Sequence, residues 1–140
     1  MSGVHAGFPL PDVSWEPAAP FWAGAARGEL VVPRCPSCDV WRWYPHGHPH
    51  PLTWERVSGR ATLFSWVVVT HPFLPAFADL VPFVTGLVAI DDAPGVRLAT
   101  RIVDAEPASL DFDQPLEVVF RPLSFPGVDG TVPAPLFRPA

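Results

Sequence analysis

The chain has 140 residues, enough for one compact domain or for one small domain with a structured appendage. Hydrophobic residues make up 49% and charged residues 16%, which is enough for a real core and leaves an apolar surface. All nine basic residues are arginine, the net charge is −5 and no basic run exists. That balance argues against nucleic acid as the main partner, because neutralising phosphates supplies most of such affinity. Two cysteines three positions apart make no disulfide framework. The N-terminus lacks a charged n-region and a long apolar h-region, and no run approaches 18 apolar residues. No membrane contact is expected, and the expected location is the cytoplasm.

In chain order, residues 1–17 read as an extended arm, rich in Gly, Pro and isolated apolar residues without a period. Pro17 suits a helix start, and a short helix is expected from Ala18 to Arg27, stopped at Gly28. Phe21, Trp22, Ala25, Ala26 and Leu30 form its loose apolar stripe. Phe21 and Trp22 either cover the following barrel or dock on a partner. Leu30 to Arg34 is a short strand leading into Cys35-Pro36-Ser37-Cys38. A Cys-x-x-Cys knuckle places two thiolates on one side of a tight turn, which suits two corners of a tetrahedral zinc site. Two more ligands are then needed, and His46, His48 and His50 are the nearby source. Val40 to Tyr44 alternates large aromatics with Arg42, as in the second strand of a zinc ribbon, and Pro45, Pro49 and Pro51 then break regular structure. Residues 18–53 thus form a helix and zinc-ribbon-like segment.

Residues 54–140 read as a barrel domain. It opens at Trp54, bends or bulges at Ser58-Gly59, and continues in a long strand through Val69. His71 to Pro82 is a proline-broken apolar loop. Strands are expected at Phe83 to Ile90, Val96 to Val103, Leu116 to Arg121 and Val132 to Phe137, with one helical turn near Glu106 to Leu110. Five strands, the first long and bent, with an interruption between the third and fourth, fit a closed Greek-key barrel of the OB type.

No catalytic constellation emerges elsewhere. Asp91-Asp92 lies in a hairpin turn, where carboxylates serve turn chemistry. His71 reads as a loop residue, and Ser58, Ser65 and Ser124 have no His/Asp partner nearby in sequence. Asp104, Glu106, Asp111 and Asp113 read as a solvated acidic face.

A set of ordered pieces resembles a known family: Phe21-Trp22, Gly28-Glu29-Leu30, Arg34-Cys35-Pro36-Ser37-Cys38, Arg42-Trp43-Tyr44-Pro45 and Trp54-Glu55-Arg56-Val57-Ser58-Gly59. Gly95-Val96-Arg97-Leu98, Pro115-Leu116-Glu117-Val118-Val119-Phe120 and Pro135-Leu136-Phe137-Arg138-Pro139 complete it. The chain is similar to bacterial and archaeal proteins that pair a rubredoxin-like zinc ribbon with an OB-fold, long carried as a domain of unknown function. The fold class so implied is mainly β: an N-terminal helix and rubredoxin-like zinc ribbon, followed by a five-stranded OB-fold barrel.

One departure matters. The family pattern has a second Cys-Pro-x-Cys pair, whereas here His48-Pro49-His50 stands in that neighbourhood. Either the zinc is retained on Cys35, Cys38, His48 and His50, with His46 as the substitute, or the metal is gone and the thiols are a relic, disulfide-bonded or buried. Histidines two apart in an extended segment point to opposite faces, so ligation by both requires a kink, for which Gly47 and the prolines provide. A dithiol redox role is a third reading; it wants a helix N-terminus, and this region is strand and turn.

The resemblance implies a non-catalytic accessory subunit in a hetero-oligomer with a thiolase-like protein that acts on acyl-CoA, including aldolases that split the side chains of steroid acyl-CoA thioesters. A surface poor in charge suits a permanent interface, since charges are costly to desolvate. The expected partner-binding residues are Phe21, Trp22, Phe73, Leu74, Phe77, Leu80, Phe125 and Phe137. Two alternatives stay open. One is a stand-alone acyl-CoA-binding module using Arg42, Arg56, Arg60 or Arg97. The other is a single-stranded nucleic-acid binder stacking bases on Trp54, Phe64 and Trp66.

Overall fold

The structure, a computed structural model, describes residues 7–140. The arm expected over residues 1–17 is, from Gly7 onward, a run of turns; its first six residues lie outside the described ones. Leu10 is buried and Trp15 stacks on Tyr44 at 5.5 Å, and this packing ties the segment down. A single 3-10 turn, Glu16–Ala18, leads into helix α1, Ala19–Ala26. Pro20 is tolerated there because the first turn's N–H groups have no intrahelical partner. At the other end Gly28 donates to the Ala25 carbonyl and Glu29 to that of Gly24, a Schellman closure.

The ribbon is a three-stranded antiparallel sheet in the order β2-β1-β3, with β1 Val31–Cys35, β2 Val40–Trp41 and β3 Thr53–Arg56. Two expectations differ here. The second ribbon strand is only two residues long, because the backbone bends after Trp41. Trp54 does not open the barrel: β3 pairs with β1 in the register Pro33↔Trp54, and Trp54 packs edge-on against Trp43 at 6.5 Å.

The barrel proper is closed by β4 Arg60–Val69, β5 Phe83–Ile90, β6 Arg97–Ile102, β7 Pro115–Leu123 and β8 Val132–Pro139, in the order β4-β5-β6-β8-β7. Strand β4 bulges between Leu63 and Ser65, which lets one long strand pair with β7 at its start and with β5 along its whole length. The interruption expected before the fourth barrel strand is a single 3-10 turn, Pro107–Ser109. Asp92 lies in the expected turn, but its carboxylate ties that turn to the Ser58-Gly59 bend, accepting hydrogen bonds from the Ser58 amide at 2.8 Å and the Ser58 hydroxyl at 3.2 Å.

Helix, ribbon and barrel share one core, running from Phe21, Leu30 and Val32 through Leu63, Val88 and Leu116 to Phe137. Burying a side chain such as Phe21 contributes about 2–3 kcal/mol, so α1 is fastened to the barrel by packing rather than by its own short length.

Candidate metal centre

The site begins at the end of β1. Cys35 is the last residue of that strand, fully buried, and the chain then turns through Pro36, Ser37 and Cys38. The Asp39 amide donates to the Cys35 carbonyl at 2.8 Å, and Asp39 takes a left-handed φ of 56° to close the turn. Within it the Cys38 amide donates to Cys35 Sγ at 3.2 Å, so a backbone dipole already points at the first sulfur. Arg34 holds the turn from outside through ion pairs with Asp39 and, at 3.7 Å, with Glu55.

The other half comes from the segment between β2 and β3. Gly47, at φ +80°, and Pro49 keep it from being extended, so the opposite-face problem for histidines two apart does not arise. The His48 and His50 rings meet edge to face at 5.4 Å. Cys38 Sγ lies 3.2 Å from His50 Nδ1 and 3.8 Å from His48 Nε2, and Cys35 Sγ lies 3.8 Å from His50 Nδ1. One donor atom from each of Cys35, Cys38, His48 and His50 falls within 4.8 Å of all the others.

The three sulfur–nitrogen spacings are close to those of a tetrahedron's corners. Bonds of 2.3 Å to sulfur and about 2.0 Å to nitrogen put neighbouring ligand atoms roughly 3.3–3.8 Å apart. Two thiols and two imidazoles are also the donor set that selects zinc over hard cations. Zinc therefore fits both the chemistry and the geometry of the cluster.

The electrostatics favour the ligating form at Cys35 and His48 and oppose it at Cys38. Burial pushes the Cys35 thiol up, but the Cys38 amide and thiol, the Ser37 amide and the Arg42 guanidinium outweigh it and hold it below the ordinary thiol range. The Cys35 thiol, with burial, holds Cys38 above that range against the pull of Arg42. Burial, then Arg42 and His50, keep His48 below the usual imidazole value, in the neutral form that ligates.

His46 is exposed, its ring against Trp15, and stands apart from the four. Both cysteines are free, so the disulfide alternative is not realised. Cys35 ends a strand and Cys38 sits in a turn, without the helix N-terminus that a redox dithiol uses.

The expected partner-binding residues divide. Phe137 is fully buried and Phe21 nearly so; both are core residues, because α1 and β8 close the barrel's end, and they are corrected as surface anchors. Trp22 is half-buried beside Phe21. Phe73 is 81% exposed. Leu74, Leu80 and Phe125 are half-buried, and Phe77 packs on Phe83 at 6.1 Å and Phe125 at 5.6 Å, joining two loops. The exposed Val67, Val68 and Phe112 were not expected; for the two valines the absence of any charge from Ala61 to Thr70 was the available signal.

The residues of the alternatives are also placed. Trp54 belongs to the ribbon sheet, separate from Phe64 and Trp66 on β4. Arg56 pairs with Glu29 at 3.5 Å, and the Arg97 guanidinium lies 3.9 Å over the Phe64 ring. No helix among the described residues is long and apolar enough to cross a membrane.

Comparison with known proteins follows this anatomy. Residues 22–50 match the family described as the ChsH2 rubredoxin-like zinc ribbon domain, and residues 54–121 the ChsH2 C-terminal OB-fold domain. The chain is 32% identical over 139 residues to a probable enoyl-CoA hydratase alpha subunit of Thermomonospora curvata, covering 94% of this chain and 40% of that protein. It is 31% identical over 77 residues to a DUF35 domain-containing scaffold protein of Methanothermobacter thermautotrophicus, covering 55% of this chain and 56% of that one. It is 30% identical over 129 residues to the 3-oxo-4,17-pregnadiene-20-carboxyl-CoA hydratase alpha subunit of Mycobacterium tuberculosis, covering 83% of this chain and 38% of that one. The chain thus spans between 38% and 56% of the length of these relatives. Among solved structures, a chain of the Ltp2-ChsH2(DUF35) aldolase superposes with a TM-score of 0.74 at 25% identity, over 93% of this chain and 98% of that one. Zinc ribbon and OB-fold follow one another along the chain in that order, and the chain belongs to the ChsH2-type family that unites a rubredoxin-like zinc ribbon with an OB-fold domain.

Proposed function

We propose that this chain is a non-catalytic accessory subunit that binds and supports a thiolase-like acyl-CoA enzyme, of the kind that cleaves a steroid acyl-CoA side chain by a retro-aldol reaction. The observation that carries this is the likeness, nearly end to end, to a chain of the Ltp2-ChsH2(DUF35) aldolase. The names of the relatives, two hydratase alpha subunits and a scaffold protein, support a place in an acyl-CoA assembly.

In this reading Cys35, Cys38, His48 and His50 hold a structural zinc. Four protein donors fill a tetrahedron and leave no open position for substrate, so the bound ion supplies a cross-link rather than Lewis-acid chemistry. It fastens the β2–β3 segment to the end of β1. Trp22, Phe73, Leu74, Phe77, Leu80 and Phe125 are the candidate contacts to the enzyme subunit.

The test is co-expression with a thiolase-like protein of the same organism, followed by purification on a tag carried by one partner. Co-elution in fixed stoichiometry, with cleavage only by the pair, is expected. Turnover by this chain alone sinks the reading.

A second reading, binding of acyl-CoA by this chain itself, draws on one feature. A cleft of about 290 Å³ between α1 and the barrel is lined by Phe21, Trp22, Trp43 and Leu123, and by Arg101, whose guanidinium has no ion pair among the described residues. Titration of the isolated chain with an acyl-CoA and with coenzyme A separates the two.

A further inference from the structure

Strand β4 is paired on both edges only at its beginning. Its partner β7 spans Arg60 to Thr62, and the last bonds on that side link Leu63 with Gln114 and Asp113. From Ser65 to Val69 the strand pairs with β5 alone, Phe64 being the bulged residue.

Which backbone groups are left over follows from the alternation of an antiparallel ladder. The Ile90 amide donates to the Val96 carbonyl, so Ile90, Val88, Gly86 and Val84 turn their backbone groups toward β6. Phe83 and Thr85 then face β4 and bond Val69 and Val67. Trp66 and Val68, opposite Gly86 and Val84, turn theirs outward. No backbone group of either takes a partner elsewhere among the described residues.

Proteins blunt such an edge with Lys, Pro or a covering loop. Here Ala61 to Thr70 contains no Lys and no Pro; the Phe112 ring packs on that of Trp66 at 4.9 Å, but Val67 and Val68 are 57% and 41% exposed. Beside the paired end stand Asp111 and Asp113, neither with an ion pair among the described residues.

The geometry points to strand addition: an extended segment of the partner subunit adds to the open edge of β4 at Trp66–Val68, and that segment is uncharged and β-branched with a basic residue at the end that meets Asp111 and Asp113. This rests on the accessory-subunit reading and names the surface through which it works. The occupant's chemistry follows from the edge. A charged strand would be desolvated against the uncharged stretch Phe64 to Val69, and the Asp end rewards a cation.

Hydrogen exchange on the wild-type chain, free and in complex with its co-purified thiolase-like subunit, reads this directly. The Trp66 and Val68 amides are expected to exchange freely alone and at least about tenfold more slowly in the complex. Val68→Pro removes one outward N–H without touching the bonds to β5; it is expected to leave the melting temperature of the isolated chain nearly unchanged and to prevent co-purification. A complex in which both amides exchange at the free rate overturns the strand addition while sparing the subunit reading. Absence of any complex with the wild-type chain overturns both. Dimerisation of the free chain that Val68→Pro abolishes assigns the edge to a second copy, and also overturns the proposal.

Discussion

Cys38 Sγ and His50 Nδ1 lie 3.2 Å apart, although twelve positions and two prolines separate them along the chain. No hydrogen-bonded ladder joins the two segments they stand on. Their meeting is what the zinc ribbon is for, and its stability is expected to depend on the ion. Purified chain is expected to carry one zinc, and His50→Ala or Cys35→Ser to lose it. Free zinc a thousandfold above its dissociation constant contributes about 4 kcal/mol, so chelation should lower the melting temperature clearly. A zinc-free preparation with an unchanged melting curve would count against the centre.

Gly59 is the hinge between ribbon and barrel. It sits at φ +86°, and a Cβ there would stand only 2.3 Å from Val118 Cγ1. Gly59→Ala therefore adds a collision to a strained backbone and is expected to cost about 3 kcal/mol or more. Gly95→Ala, at φ +87° but in open space, is expected to cost only about 1 kcal/mol. Urea denaturation of the two variants separates clash from strain.

Asp104 accepts from Arg121 at 3.0 and 2.5 Å and faces Arg138 at 3.6 Å. The Arg121 hydrogen bonds, opposed by burial and aided by both guanidinium charges, hold its carboxyl below the usual range. A depressed carboxylate stabilises the fold above its unfolded value near pH 4, and that contribution is lost as pH falls through the lower folded value. The stability gap between wild type and Asp104→Asn is thus expected at pH 7 and should close as the pH is taken well below the unfolded value. Because the pair is exposed, the gap should also shrink in high salt. An equal gap at pH 7 and at that low pH would refute the linkage.

Phe73 and Phe137 share a residue type and little else. Phe137 is completely buried, and Phe137→Ala is expected to cost about 3–5 kcal/mol of stability. Phe73 is largely exposed, so Phe73→Ala should change stability by less than about 0.5 kcal/mol. As a partner contact it should nevertheless weaken the complex by about 2 kcal/mol, some thirtyfold in Kd. Binding measured by calorimetry with unchanged affinity would remove the His71 to Pro82 loop from the interface.

Much of the barrel was readable from local pattern. Phe83 to Ile90 emerges with the expected ends, as a short apolar run bounded by Pro82 and the Asp91-Asp92 turn; its burial alternates although its sequence does not. The bend at Ser58-Gly59 and the turn at Asp92 were likewise visible in their residue types. Trp54 was misplaced for a physical reason: a strand's composition says that it will pair, not with which neighbour, and β3 chose β1. Phe21 and Phe137 show the matching error on burial. An aromatic residue fits a core and a docking surface equally well, and only the position of α1 over β8 decides between them.

The order of the chain alone determined the donor types at the metal centre and the order of the strands, because side-chain chemistry and hydrophobic period are local properties. The fold decided which two histidines face Cys35 and Cys38, and which edge of β4 stays open. Both depend on turn dihedrals and sheet register, which are settled by packing between segments far apart in sequence.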